Sequence, residues 1–120
     1  MARTAIPLTE SAKWGAGTGD ITWTAGDAAN DMQFANTGNE VLLVKNGSGG
    51  GIAVSIPRVA NYRTTEVTTA SGDTVGAAKE QAFGPFDPSV FNQSGGVVHI
   101  DLTTDTSLEF AVVSLPRRTV

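Results

Sequence analysis

NEVLLVKNGSGGGIAVSIP, residues 39 to 57, holds two short apolar runs separated by little except lysine, asparagine, serine and glycine. VLLV, residues 41 to 44, is continuously apolar and short, as expected for a strand buried on both faces or nearly so. IAVSIP, residues 52 to 57, alternates large and small side chains and puts Ile52, Val54 and Ile56 on one strand face. Between them, Asn46-Gly47 is a hairpin signal, because both residues tolerate positive φ. Gly49, Gly50 and Gly51 lengthen the loop beyond a two-residue turn. The chain is therefore expected to reverse over Asn46 to Gly51, with the flanking runs paired as antiparallel strands.

The same period continues outward. ITWT, residues 21 to 24, alternates apolar and polar side chains, with Trp23 read as core. YRTTEVTTA, residues 62 to 70, reads as a more exposed strand, and SGDT, residues 71 to 74, as a turn. VGAAKEQAFGPF, residues 75 to 86, contains good helix formers, but Gly76 and Gly84-Pro85 confine it to a single turn followed by a strand ending at Phe86. VVHIDL (97 to 102) and SLEFAVVSL (107 to 115) are strands joined by the polar turn TTDT. In the last run Leu108, Phe110 and Val112 share a face, which gives way to apolar residues on both sides. All five prolines fall at or beyond the ends of these runs, where a missing N–H costs least.

Short strands with turn signals every eight to twelve residues or so predict an all-β fold, an antiparallel β-sandwich of jelly-roll type. Residues 1 to 15 have no clear period and read as an extended N-terminal arm, leaving 16 to 120 as a single sandwich domain. Such an arm is expected to add little to the stability of the isolated domain and much to attachment.

Bulk properties narrow the function. With 120 residues and no cysteine, the chain can bury one modest core, but disulfides, thiolate nucleophiles and cysteine-zinc sites are excluded. A net charge of −4 argues against nucleic acid or an anionic membrane as the main partner. Arg3 and Lys13 at one end, and Arg117 and Arg118 at the other, leave a more acidic body between them. They read as solvated tails, or as basic ends that reach onto an acidic neighbour. MARTAIPLTESAKWG lacks the apolar core of a secretory signal, and no run approaches the length of a membrane helix.

Few residues suggest chemistry. His99 and Asp101 share a strand face, but a two-histidine, one-carboxylate metal site needs a second histidine, and His99 is alone. No serine sits in a Gly-x-Ser-x-Gly elbow, so His99 reads as a surface or groove residue with an ordinary neighbour. The glycine clusters at 15 to 20, 47 to 51 and 94 to 96 lack the following helix of a phosphate loop and read as turns. DAAND, residues 27 to 31, with Asp101 and Asp105, carries calcium-type oxygen ligands without calcium-loop spacing, and reads as a polar loop. No catalytic residue, metal ligand or cofactor site is assigned. Trp14, Trp23 and Tyr62 together suggest a sugar-stacking platform as an alternative use of a β-sandwich. Trp14, set among glycine and lysine, is expected to pack on the domain or on another chain.

MARTAIPLTE, NTGNEVLLVKNGSGGGIAVSIP and FGPFDPSVFNQSGGVVHIDL running to LEFAVVSL resemble a family of small virion proteins of tailed bacteriophages, the head decoration (cement) or minor capsid proteins. The resemblance implies a non-enzymatic protein on the virion surface, made in the host cytoplasm, with the major capsid protein as partner. It also implies a homo-oligomer, a trimer at local three-fold positions or else a dimer across two-fold seams. Arg3, Ile6, Pro7, Trp14, Phe86 and Phe91 are the expected capsid or subunit contacts, and YRTTEVTTA and FDPSVFNQ the segments that meet a neighbour; for Phe86 and Phe91 the equal alternative is that they plug the end of their own sandwich. The alternative is a receptor- or carbohydrate-binding β-sandwich of a phage tail or fibre.

Overall fold

Alternation along each strand builds the core. Glu40–Asn46 buries every second residue, Val97–Leu102 buries Val98, Ile100 and Leu102, and Leu108–Ser114 sends Leu108, Phe110 and Val112 inward. The computed structural model describes residues 2–10, 20–58 and 69–114. In chain order its strands are β1 (Thr4–Ala5), β2 (Leu8–Glu10), β3 (Thr24–Ala25), β4 (Met32–Ala35), β5 (Glu40–Asn46), β6 (Ile52–Pro57), β7 (Thr69–Val75), β8 (Glu80–Phe83), β9 (Val97–Leu102) and β10 (Leu108–Ser114). One short helix, α1 (Pro88–Phe91), lies between β8 and β9.

The first sheet has the order β1-β4-β9-β6-β7 and the second β2-β10-β5-β8, with β3 also on β10. The pairings have a simple logic. β6 pairs with β7, and around this innermost pair β5 joins β8, β4 joins β9 and β3 joins β10, all antiparallel. This is one long two-stranded ribbon whose successive pairs fall alternately into the two sheets. Lateral pairing of β6 with β9 and of β5 with β10 closes the ribbon on itself. The result is a jelly roll, the expected fold class, made mixed by two parallel pairings, β1 with β4 and β2 with β10.

That winding overturns the expected hairpin at residues 39 to 57, because β5 and β6 lie in different sheets. Neither Asn46 nor Gly47 takes a positive φ, so the tight turn their types permit is not made. Asn46 is instead the inward-facing last residue of β5, only 1% exposed. Its Nδ2 donates to the carbonyls of Gly50 (2.8 Å), Val75 (2.9 Å) and Gly76 (3.2 Å). Its Oδ1 accepts from Ser48 N at 2.9 Å and Ser48 Oγ at 2.7 Å. A buried carboxamide thus organises the loop, and the chain leaves β5 across the end of the sandwich rather than back alongside it. The segment after β9 crosses in the same way to reach β10.

Other local expectations shift too. SGDT is not a turn: residues 71 to 74 continue β7, an edge strand where small polar residues are tolerated, and a register shift between Val54 and Ile56 absorbs the irregularity. The strand after Gly76 ends at Phe83, before Gly84-Pro85. ITWT contributes only Thr24 to a strand. FDPSVFNQ carries α1, with Asp87 as N-cap accepting from Ser89 N and Pro88 in the first turn, a start signal that Asp-Pro-Ser spells out. Of YRTTEVTTA, residues 62 to 68 lie outside the described residues.

Candidate functional site

The arm is extended where described, but it is not separate from the domain. Thr4 N donates to Asp31 O and Ile6 N to Gln33 O, each at 2.9 Å, which adds β1 to the first sheet. The chain then crosses to the second sheet as β2. At the crossing Ile6 is 3% exposed and belongs to the core, so its side chain is not free to meet a capsid. Arg3 is likewise engaged within its own chain. Its Nη1 lies 2.7 Å from Asp101 Oδ1 and donates to the carbonyls of Met32 (3.2 Å) and Ile100 (3.3 Å). Of the arm's expected contacts among the described residues, Pro7 alone is exposed. Trp14 lies outside the described residues, as do Lys13, Arg117 and Arg118.

Leu8 is 41% exposed and Ile21 44% exposed. They flank the hydrogen bond from Thr22 N to Thr9 Oγ1, at 3.2 Å, that lays residues 20 to 23 over β2. Leu8 gave no sign of exposure in the sequence, and Ile21, which the alternation of ITWT placed on a half-buried strand, is instead exposed because only Thr24 of that run joins a strand.

Phe86 and Phe91 close the end of their own sandwich. Phe86 packs on Phe34 (centroids 5.6 Å apart) and edge-on to Phe91 (5.2 Å), and is 4% exposed. Phe91 is half-buried against the same core. Asn36 and Asn92 clip this segment down. Asn36 Nδ2 donates to Asn92 Oδ1 (2.6 Å) and Phe86 O (3.1 Å), while Asn92 Nδ2 donates to Asn36 O (3.1 Å). Phe86 is therefore a core residue and not a contact surface.

The outer face of the second sheet also carries apolar side chains, most of them half-buried and Ala111 fully covered. On β5, Leu42 and Val44 face the core, which turns Val41 and Leu43 outward, half-buried. Cross-strand partners share a face, so Val113 lies beside Val41, and Ala111 and Ala82 flank Leu43. Next along, Lys45 sits between Glu109 and Glu80. Trp23 covers part of this face rather than joining the core, and Lys45 Nζ stands 4.2 Å from its ring centroid. That contact is a cation–π pair on one face of the ring. Tyr62, like Trp14, is outside the described residues. VLLV was apolar on both faces because its second face forms this surface.

The titratable groups are structural in character. His99 lies with Asp101 on the outward face of β9, as expected from their spacing. Burial, together with the positive charge of Arg3, holds the imidazole below its usual pKa, partly offset by Asp101. Glu40, 2% exposed, is the most buried carboxylate among the described residues. It accepts from Thr37 N (2.6 Å), Thr37 Oγ1 and Ser114 Oγ (3.1 Å). Burial alone would raise its pKa, and these bonds outweigh burial and hold it below the usual value. Asp27, Asp31 and Asp105 each accept from a nearby N–H or hydroxyl. Among the described residues no three histidine, cysteine or acidic side chains group as a metal site.

In comparisons with known proteins, the chain matches no family model, no curated protein and no solved structure.

Proposed function

We propose that this chain is a non-enzymatic virion structural protein that binds the outer surface of a tailed-phage capsid and stabilises it as a decoration protein. The observation that carries the reading is the outer face of the second sheet, where Val41, Leu43, Ala82 and Val113 adjoin. A sheet face turned to water ordinarily alternates apolar-in with polar-out, so adjoining half-buried apolar side chains on the outward face favour a contact there. Pro7, Leu8 and Ile21 are exposed apolar side chains apart from that patch, Leu8 lying on the Val112 side of β2. The resemblance of the sequence to head decoration proteins supplies the partner, the major capsid protein. The jelly roll is compatible with this role, but lectins and cupins share the fold, so it does not choose among them.

A cement protein has to clamp a repeated surface, and a rigid β-body with many copies on one shell does so because weak contacts add when copies are linked. The assembly state that fits local three-fold sites is a trimer. Co-sedimentation with purified capsid shells tests the reading. The unaltered chain should pellet with shells, and Leu43→Asp, which puts a charge in the middle of the patch, should stay in the supernatant while keeping its strand circular dichroism. Equal binding by the two chains would remove the patch from the account.

A further inference from the structure

We infer that the N-terminal arm is exchangeable between copies: residues 2–10 of one chain can occupy, on a second chain, the seam between the sheets that they fill on their own. The inference stands on the arm's contacts and is independent of the capsid reading.

Every described partner of the arm is distant in sequence. Thr4 bonds Asp27 and Asp31, Ile6 bonds Gln33, Arg3 reaches Met32, Ile100 and Asp101, and β2 lies on Val112 to Ser114. The nearest partner, Thr22, is 13 residues from Thr9. No contact among these depends on the arm belonging to the same chain, and an arm from another copy would make the same set, which is the condition for swapping at little cost.

The pairing geometry agrees. β1 and β2 run parallel to their neighbours, and parallel partners are never joined by a tight turn. Residues 11 to 19 lie between β2 and the next described residue. Nine residues can reach about 30 Å, enough to lead the arm to an adjacent copy. The arm is also thin: its strands are two and three residues long, and within Arg3 to Leu8 only Ile6 enters the core. Short strands with one core anchor open at a lower free energy than the body.

The chain has no cysteine, so an introduced pair reports the exchange without interference. Ala5 and Gln33 are register partners between β1 and β4. Ala5→Cys/Gln33→Cys, incubated at high concentration below its melting temperature and then oxidised, should give covalent dimers and larger species on a non-reducing denaturing gel, in a proportion that rises several-fold with concentration. Val41→Cys/Val113→Cys, partners between β5 and β10, should stay monomeric under the same treatment. Monomer at every concentration from the first pair would overturn the inference. Should the first pair fail to fold, the unaltered chain incubated with a labelled peptide of residues 2–10 gives a second readout. Slow uptake of the peptide, abolished by Ile6→Asp in the peptide, supports exchange, and no uptake contradicts it. Both readouts omit capsid, so their failure is distinguishable from failure of the decoration role.

Discussion

Asn46 Nδ2 donates to the Val75 carbonyl at 2.9 Å and so ties the end of β5 in one sheet to the end of β7 in the other. With the bonds to Gly50 and Gly76, one buried carboxamide satisfies three carbonyls where the chain crosses between the layers. Replacing it leaves those acceptors without this donor. Asn46→Ala should lower the unfolding free energy by about 2 kcal/mol, within the range for unsatisfied buried groups. Asn46→Asp should do more damage, because a carboxylate offers no donor to the carbonyls. Urea unfolding of the three proteins checks the order.

The arm is expected to matter for stability, contrary to what its irregular sequence suggests. Ile6→Ala removes a core side chain that is 3% exposed and should cost about 2 to 5 kcal/mol. Deleting residues 1–10 should lower the melting temperature at least as much, since the strand pairing goes with it. An unchanged thermal transition would mean that the arm is not docked in solution.

Acidification should destabilise the fold in two windows. His99 has its pKa depressed from 6.5 in the folded state, so the unfolded chain takes up its proton first, and stability that is full above about pH 6.5 falls as pH drops toward the folded value. Glu40 is depressed from 4.5, so its contribution is full above that value and is lost at lower pH as the carboxylate in its Thr37 and Ser114 cage is protonated. Denaturant midpoints measured from pH 8 to 3 should show both declines. His99→Gln should flatten the upper one and Glu40→Gln the lower.

Two glycines should behave oppositely. Gly84 has φ +113°, and an added Cβ would meet the Phe86 ring at 3.0 Å and Glu40 O at 3.1 Å. Gly84→Ala should destabilise by more than about 1 kcal/mol. Gly50 has open space around it and no left-handed φ, so Gly50→Ala should leave stability unchanged or raise it by up to about 1 kcal/mol. Melting temperatures of the two variants separate these outcomes.

This contrast shows what the sequence made legible. The inward faces were plain, because period-two spacing assigns Ile52, Val54 and Ile56, or Leu108, Phe110 and Val112, to one side without knowledge of any neighbour. The sheet to which each strand belongs was not plain. Asn-Gly chemistry permits a tight reversal, and only the burial of the Asn46 side chain against Val75 and Gly76 shows that the chain crosses instead. The candidate surface was half legible: VLLV and AVV are apolar on both faces, but their outer faces become one patch only once β5 and β10 are paired. Leu8 carried no signal, and the alternation of ITWT pointed Ile21 toward burial although it is exposed, since both depend on where the arm docks. Ile6 and Phe86, expected at contacts, are core residues because the arm and the Gly-Pro-Phe segment fold onto their own domain.

The decoration role is tested most directly by an image reconstruction of capsids incubated with the purified chain. The expected map has added density on the outer surface at local three-fold positions, in trimers, with the sheet of β5, β8 and β10 turned toward the shell or a neighbouring copy. Shells without added density would contradict the capsid role, isolated copies or two-fold pairs would contradict the trimer, and a sheet face turned wholly to solvent would contradict the assignment of the contact surface.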